Sequence, residues 1–177
     1  PVAVALTATI MTQKMALLMF ALCLLLGGNF AWGQNTTAPE RTYDSAVVAF
    51  MAYRTSDYVP PYRPVTLPFE YAEFNYGDAF MLHTGEFTAP IDGLYWMSFT
   101  FRQIYRRHAV SASLMKNGRK YATNAAEHES GAAISCVVEL SVGDVFYVQI
   151  GNVWDSAIFS NGDRQTVFSG YLIHATI

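Results

Sequence analysis

From Ser45 onward, short stretches of alternating apolar and polar residues are separated by turn residues. The clearest stretch follows Gly93, where one set of side chains alternates with another: Tyr95, Met97, Phe99 and Phe101 against Trp96, Ser98, Thr100 and Arg102. Successive side chains of a strand point to opposite faces, so this period of two predicts a strand with one buried face. Asn117-Gly118 lies between two further stretches and predicts a two-residue β-hairpin.

Two segments are apolar on both faces, VFYVQI and the closing VFSGYLIHATI. This pattern predicts strands covered on both sides, with the closing segment as a central strand. A proline-spaced segment, with Pro60, Pro61, Pro64 and Pro68, is expected at a sheet edge or across a sandwich end, because proline lacks the ladder donor. Many short strands without a helical pattern predict an all-β sandwich or jelly roll. An immunoglobulin-like sandwich is the alternative, but the paired cysteines of that fold are missing.

The N-terminal part has the organisation of a secretory signal peptide. Lys14 precedes the apolar run MALLMFALCLLL, and Ala31-Trp32-Gly33 follows it with small residues at both ends. The run is shorter than the roughly 20 apolar residues of a membrane span, although a signal anchor is the alternative. We therefore expect a signal peptide over residues 1–33, a flexible polar leader over 34–44 and one globular domain over 45–177. Asn35 begins an N-glycosylation sequon in the leader.

Charge and cysteine content narrow the class of protein. The net charge is −3, and no basic patch with interleaved aromatic residues is present, which argues against a nucleic-acid partner. Cys23 would leave with the signal peptide, so Cys136 would stand alone in the mature chain. Its apolar surroundings favour a buried thiol, and an interchain disulfide is the alternative. The mature protein is thus expected to be extracellular, without a membrane span.

A spaced set of aromatic and turn residues occupies the middle of the chain: Phe69, Asn75, Phe80, Phe87, Gly93, Tyr95 and Phe99. Together with LMKNG at 114–118, VGDV at 142–145 and FSGYL at 168–172, this set resembles the signature of the C1q globular-head domain of the C1q/TNF superfamily. Met97 departs from the signature, which usually has Phe there, but Met fills a similar apolar volume.

The resemblance implies a ten-stranded antiparallel jelly roll that assembles as a homotrimer. Strand-borne apolar residues in excess of one core are consistent with such an interface. Tyr147 and Tyr171 are the predicted interface residues, with a core position as the alternative. Some members of the family hold calcium near the trimer apex with acidic residues in about the loop that here contains Asn124, Glu127 and Glu129. Oxygen ligands of this kind suit Ca²⁺.

No catalytic constellation accompanies these patterns. The histidines are scattered without metal-ligand spacing, and neither a nucleophile elbow nor a phosphate-binding glycine loop is present. The chain is therefore predicted not to be an enzyme, and its binding groups are expected on loops at the sandwich ends.

Two loops carry candidate binding groups. The first, Arg106-Arg107-His108, suits anionic groups, because arginine binds phosphate and carboxylate bidentately. The second, Trp154-Asp155 with Asp163, suits sugar stacking together with hydroxyl hydrogen bonds. A solvated turn and a loop packed over the sandwich end are the respective structural alternatives.

Three functional hypotheses follow from the resemblance. The first is a secreted, lectin-like pattern-recognition protein of innate immunity that binds microbial or glycan surfaces. The second is a secreted signalling or organising ligand for a cell-surface protein receptor. The third is a structural matrix component built from the same trimer. Fold does not imply function, so these alternatives need to be separated by binding.

Overall fold

The computed structural model describes residues 47–104, 108–151 and 157–176. These residues form twelve strands and no helix, and they include no helix that could cross a membrane. The strands are β1 (Ala49–Tyr53), β2 (Val65–Thr66), β3 (Tyr71–Tyr76), β4 (Phe80–Met81), β5 (Glu86–Thr88), β6 (Gly93–Ile104), β7 (Val110–Lys116), β8 (Arg119–Ala126), β9 (Gly131–Leu140), β10 (Val145–Ile150), β11 (Ala157–Phe159) and β12 (Val167–Ala175). The predicted signal peptide, leader and Asn35 sequon lie outside the described residues.

The strands form two antiparallel sheets. The β6 sheet has the order β9–β6–β12–β1–β3, and β11 pairs with β6 beyond the end of β12. The β10 sheet has the order β4–β5–β10–β7–β8, and β2 pairs with the end of β10. The all-β jelly-roll prediction is confirmed. The described strands number twelve rather than the expected ten because segments as short as two residues, such as β2 and β4, form their own pairings.

Local sequence patterns became the expected elements. The inward side chains of β6 are buried, and β12 is a central strand between β1 and β6. Asn117 (φ 49°) and Gly118 (φ 79°) close the β7–β8 hairpin in the left-handed conformation that the Asn-Gly pair favours. The proline-spaced segment leads into β2, which pairs with β10 through two residues only.

Phenylalanine rings from both sheets meet in the centre of the core. Phe50 of β1 stacks on Phe80 with centroids 4.5 Å apart and lies 5.2 Å from Phe87 of the opposite sheet. Phe168 of β12 meets Phe50 edge-on at 5.0 Å and stacks against Phe69 at 5.9 Å. Offset stacked and edge-to-face pairs of this kind add stability beyond area burial. The signature residues Phe69, Phe80, Phe87, Tyr95 and Phe99 are all in this core.

The two remaining signature residues have backbone roles. The Asn75 side chain accepts the Phe80 N–H at 3.1 Å and donates to the Phe80 carbonyl at 3.0 Å, which closes the turn between β3 and β4. At Gly93 a Cβ atom would lie 2.4 Å from the His174 carbonyl oxygen and 2.7 Å from Leu172. Glycine is therefore needed for the close approach of β6 to β12.

A charged cluster holds the end of β1 against the segment that precedes β3. The buried guanidinium of Arg54 donates to the Glu70 carboxylate at 2.7 Å and to the Pro68 carbonyl at 2.8 Å. Thr55 donates to Glu70 from both its N–H and its hydroxyl, and the Ser56 hydroxyl donates to it as well. Partial burial alone would raise the pKa of Glu70, but the hydrogen bonds from Ser56 and Thr55 and the charge of Arg54 outweigh it and lower that pKa to about 2.

This cluster makes the stability of the domain sensitive to acid. Because the pKa of Glu70 is lower in the folded state, its contribution is present above the ordinary value of 4.5 and is lost as the pH falls towards about 2. We expect Glu70→Gln to be less stable than the parent at pH 7 and to lose less stability over this pH window. Urea unfolding at a series of pH values measures both effects. Glu73→Gln is the control, because its exposed pair with Arg164 is worth at most about 1 kcal/mol; equal pH profiles for the parent and Glu70→Gln would contradict the prediction.

Candidate functional site

One buried amide connects two loops at the end of the sandwich where β6 finishes. Gln103 of β6 is fully buried, and its side-chain oxygen accepts the Glu129 N–H at 2.7 Å. Its side-chain nitrogen donates to the His108 carbonyl at 3.2 Å, and its backbone N–H donates to the Ser130 carbonyl at 3.0 Å. The structure thus brings together two predicted binding groups, the basic turn at its His108 end and the Glu127–Glu129 loop. Arg106 and Arg107 lie outside the described residues.

The Glu127–Glu129 loop has a tightly defined backbone. His128 and Glu129 have φ values of 54° and 60°, which non-glycine residues adopt only when the surroundings hold them there. Ser130 supplies such restraint, because its N–H donates to the Glu127 carbonyl at 3.1 Å and its hydroxyl accepts the Glu127 N–H at 3.2 Å. The loop is therefore a formed rim.

A pocket of about 260 Å³ opens beside this rim, lined by Arg102, Ile104, Glu129 and Phe159. The guanidinium of Arg102 lies over the Phe159 ring, 5.6 Å from its centroid, and its Nε donates to the Glu129 carbonyl at 3.3 Å. Gly131 pairs with Arg102 from the other side, and a Cβ there would meet only the Phe101 carbonyl, at 3.6 Å. The missing side chain leaves one flank of Arg102 open.

The described residues do not form a calcium site within one chain. The Asn124 oxygen accepts the Ala125 N–H and its amide donates to the Ala133 carbonyl, both at 2.9 Å, so this side chain joins β8 to β9. Glu127 and Glu129 alone supply too few oxygens for Ca²⁺, which takes six or more. Among the described residues no group of three or more His, Cys, Asp and Glu side chains can hold a metal. Calcium shared between chains stays a prediction.

The third predicted group is only partly described. Trp154 and Asp155 lie outside the described residues. Asp163 lies in the loop between β11 and β12, where its N–H donates to the Asn161 side chain at 2.8 Å. The neighbouring Arg164 pairs with Glu73 at 2.7 Å and lies 4.2 Å from the Tyr53 ring centroid. Described contacts therefore join this loop to β1 and β3, and the sugar-stacking role stays a prediction.

The outer face of the β6 sheet carries a band of aromatic and apolar side chains. One row in strand register crosses five strands: Tyr76, Ala49, Tyr171, Trp96 and Val137. Tyr171 is 48% exposed and its ring lies 5.5 Å from that of Trp96. The next row contains Phe74, Met51, Ser169, Ser98 and Ser135. Large exposed apolar surfaces on soluble domains mark interaction sites.

The two predicted interface tyrosines lie on different sheets. Tyr147 is half-buried on β10, between Met115 of β7 and Glu86 of β5, and β10 alternates buried with half-buried residues. Neither Tyr147 nor Tyr171 belongs to the core cluster. The expectation that β10 is covered equally on both sides was wrong, because only its inward residues, such as Phe146, reach the core.

Comparison with known proteins agrees with this architecture. The family model of the C1q domain matches residues 49–173. The chain belongs to the C1q domain family. It is 27% identical to zebrafish (Danio rerio) Caprin-2 over 80% of this chain and 16% of that protein. It is also 27% identical to human (Homo sapiens) complement C1q and tumor necrosis factor-related protein 9B, over 81% of this chain and 42% of that protein.

The likeness extends to solved structures. The globular domain of zebrafish complement 1qA superposes with a TM-score of 0.56 at 19% identity, over 73% of this chain and all but 1% of that one. Identity at this level supports the fold alone. The chain thus spans less than half the length of the curated relatives it matches, and it corresponds to their C1q domain.

Sequence reasoning missed Gln103, Arg102 and Phe159 as parts of the site. A signal for Gln103 was present, because the alternation that buries Phe99 and Phe101 continues to it and places a polar side chain on the inward face. Phe159 and Gly131 come from strands far apart along the chain, and only the paired sheet brings them beside Arg102.

We expect Gln103→Met to loosen both loops while the sheet stays folded. The variant keeps the volume but leaves the Glu129 N–H and the His108 carbonyl without this partner, which costs about 1–3 kcal/mol for each buried group. Hydrogen exchange at Glu129 should accelerate, and the free energy of unfolding should fall. Gln149→Met, on a half-buried position of β10, is the control. Unchanged exchange at Glu129 would show that Gln103 does not hold the loop.

Proposed function

We propose that this C1q-domain protein is a secreted, non-catalytic binding protein that recognises microbial or glycan surfaces through the loops at the β6 end. The observation that carries the proposal is the Gln103 junction. It holds the basic turn and the Glu127–Glu129 loop together beside a pocket lined by charged and apolar side chains. Convergent polar groups on a rigid scaffold are typical of ligand sites.

Self-association through the outer face of the β6 sheet belongs to the same proposal. The Tyr76–Val137 row presents aromatic side chains to solvent, while the serines of the next row are small enough for close approach of another chain. The resemblance to C1q heads supplies the number of chains, namely three. Three copies of a weak site on one particle bind a repetitive surface with avidity far above that of one site.

A second candidate function is supported by a different surface. Val59 and Tyr62, in the proline-spaced loop before β2, are 72% and 68% exposed. Exposed apolar side chains on a loop suit a protein partner. Since the relatives include a complement C1q and tumor necrosis factor-related protein, a secreted ligand for a cell-surface receptor is the alternative. Such a ligand would use the Val59–Tyr62 loop and ignore simple sugars.

Assembly is tested by charging the outer face. We expect Tyr171→Glu to convert the homotrimer to single chains, because a carboxylate in the centre of the aromatic row would be buried without a partner. Sedimentation velocity gives the mass of both proteins. Tyr121→Glu is the matched control, since Tyr121 is exposed to a similar degree, 49% against 48%, but lies on β8. A single-chain parent, or a Tyr171→Glu variant that keeps the parent's mass, would contradict the proposed interface.

Recognition is tested with protein recovered from the medium of secreting cells and applied to a glycan and microbial-surface array, with and without a calcium chelator. We expect selective binding that weakens at least about tenfold in an Arg106→Gln/Arg107→Gln variant, since each charged hydrogen bond is worth about 1.5–3 kcal/mol. Arg119→Gln, on β8, should bind like the parent. Folded trimeric protein that binds nothing on the array would overturn the pattern-recognition proposal and favour the receptor ligand; loss on chelation would support calcium shared between chains.

A further inference from the structure

We infer that the pocket between Arg102, Ile104, Glu129 and Phe159 binds a single neutral pyranose ring. The inference rests on the proposed function and specifies the site and the chemical class of its ligand. It differs from the basic-turn hypothesis, because the pocket-lining arginine is Arg102 on β6 and the ligand is uncharged.

The size of the pocket limits the ligand to one ring. Sites for drug-sized molecules begin at about 300 Å³, and this pocket measures about 260 Å³. One flank of Arg102 is open because Gly131 has no side chain. A terminal sugar can therefore enter, while the rest of a glycan continues into solvent.

The charges of the pocket favour a neutral ligand. Arg102 and Glu129 carry opposite charges, so an anionic ligand would meet a carboxylate and a cationic ligand would meet a guanidinium. A sugar hydroxyl both donates and accepts, and it can satisfy either group. In the described part of the chain Arg102 uses Nε for its hydrogen bond, which leaves Nη1 and Nη2 available for ligand oxygens.

The apolar lining suits the face of a pyranose. Phe159 and Ile104 present an aromatic ring and a branched side chain on the same side of the β6 sheet as Arg102. The axial C–H groups of a sugar pack on such surfaces while its hydroxyls reach polar neighbours. The contact of Arg102 with the Phe159 ring and the left-handed backbone at Glu129 hold the walls in place before a ligand arrives.

The pocket lies beside the proposed self-association face. Along β6, Arg102 is six residues from Trp96, or about 20 Å at 3.3 Å per residue. The aromatic row can therefore be covered by another chain while the pocket stays open at the end of the assembly.

The test is an NMR titration of the full secreted protein with methyl pyranosides of neutral hexoses, and with an anionic methyl uronoside and a cationic methyl aminoglycoside for comparison. We expect a neutral hexoside to shift the amide signals of Arg102, Gly131 and Phe159, with an affinity in about the millimolar range typical of a small polar ligand. Arg102→Gln should weaken binding at least about tenfold by removing charged donors. Gly131→Leu should abolish binding by filling the open flank, at a position where the backbone accepts a side chain.

Arg119→Gln removes an exposed arginine on β8 and should bind within about twofold of the parent, because distant sites act independently. Amide spectra of all variants establish that they are folded. The inference is overturned if no hexoside binds, if charged sugars bind as well as neutral ones, or if both pocket variants bind like the parent.

Failure of this inference is distinguishable from failure of the proposed function. If Arg102→Gln and Gly131→Leu keep the parent's array binding and no hexoside shifts the pocket signals, the pocket assignment is wrong while surface recognition stands. If the array shows no binding but a neutral hexoside shifts the pocket signals, the pocket binds sugar while surface recognition is wrong.

Discussion

The stacked phenylalanines between the sheets are the contact on which the rest of the domain depends. Phe50 and Phe168 come from neighbouring central strands and meet Phe69, Phe80 and Phe87 within about one ring diameter. The single cysteine among the described residues, Cys136, has a free thiol whose pKa is raised by burial against the core. Apolar packing of this kind, rather than a crosslink in the described region, holds the two sheets together.

Because the core fixes the position of β6, it also fixes the candidate site. Phe99 and Phe101 point inward, and the same alternation turns Gln103 towards the two loops and Arg102 towards the pocket. One strand therefore contributes core, loop anchor and pocket wall in succession. A shift of β6 by a single residue would exchange these roles, so the register set by the phenylalanines is a condition for binding as well as for folding.

Local patterns predicted much of the fold. The alternation in β6 and the Asn117-Gly118 turn are encoded within a few residues, and both were confirmed. The candidate site was predicted less completely, because it depends on which strands become neighbours. Nothing near Phe159 in the sequence indicates that it lies under Arg102. Tyr147 illustrates the same limit, since an apolar pattern on both faces of a segment does not tell which sheet contains it or what covers its outer side.

The central position of β12 has a consequence for how the domain is made. Among the described strands it is synthesised last, and it joins β6 to β1, which otherwise pairs only with β3 in the β6 sheet. While residues 167–175 are still inside the ribosome, the aromatic side chains of β1 and β6 have no common neighbour to cover them. The nascent chain must therefore keep an unfinished sheet with unpaired edges from aggregating until translation has passed β12, which makes folding of this domain a late event that benefits from chaperones.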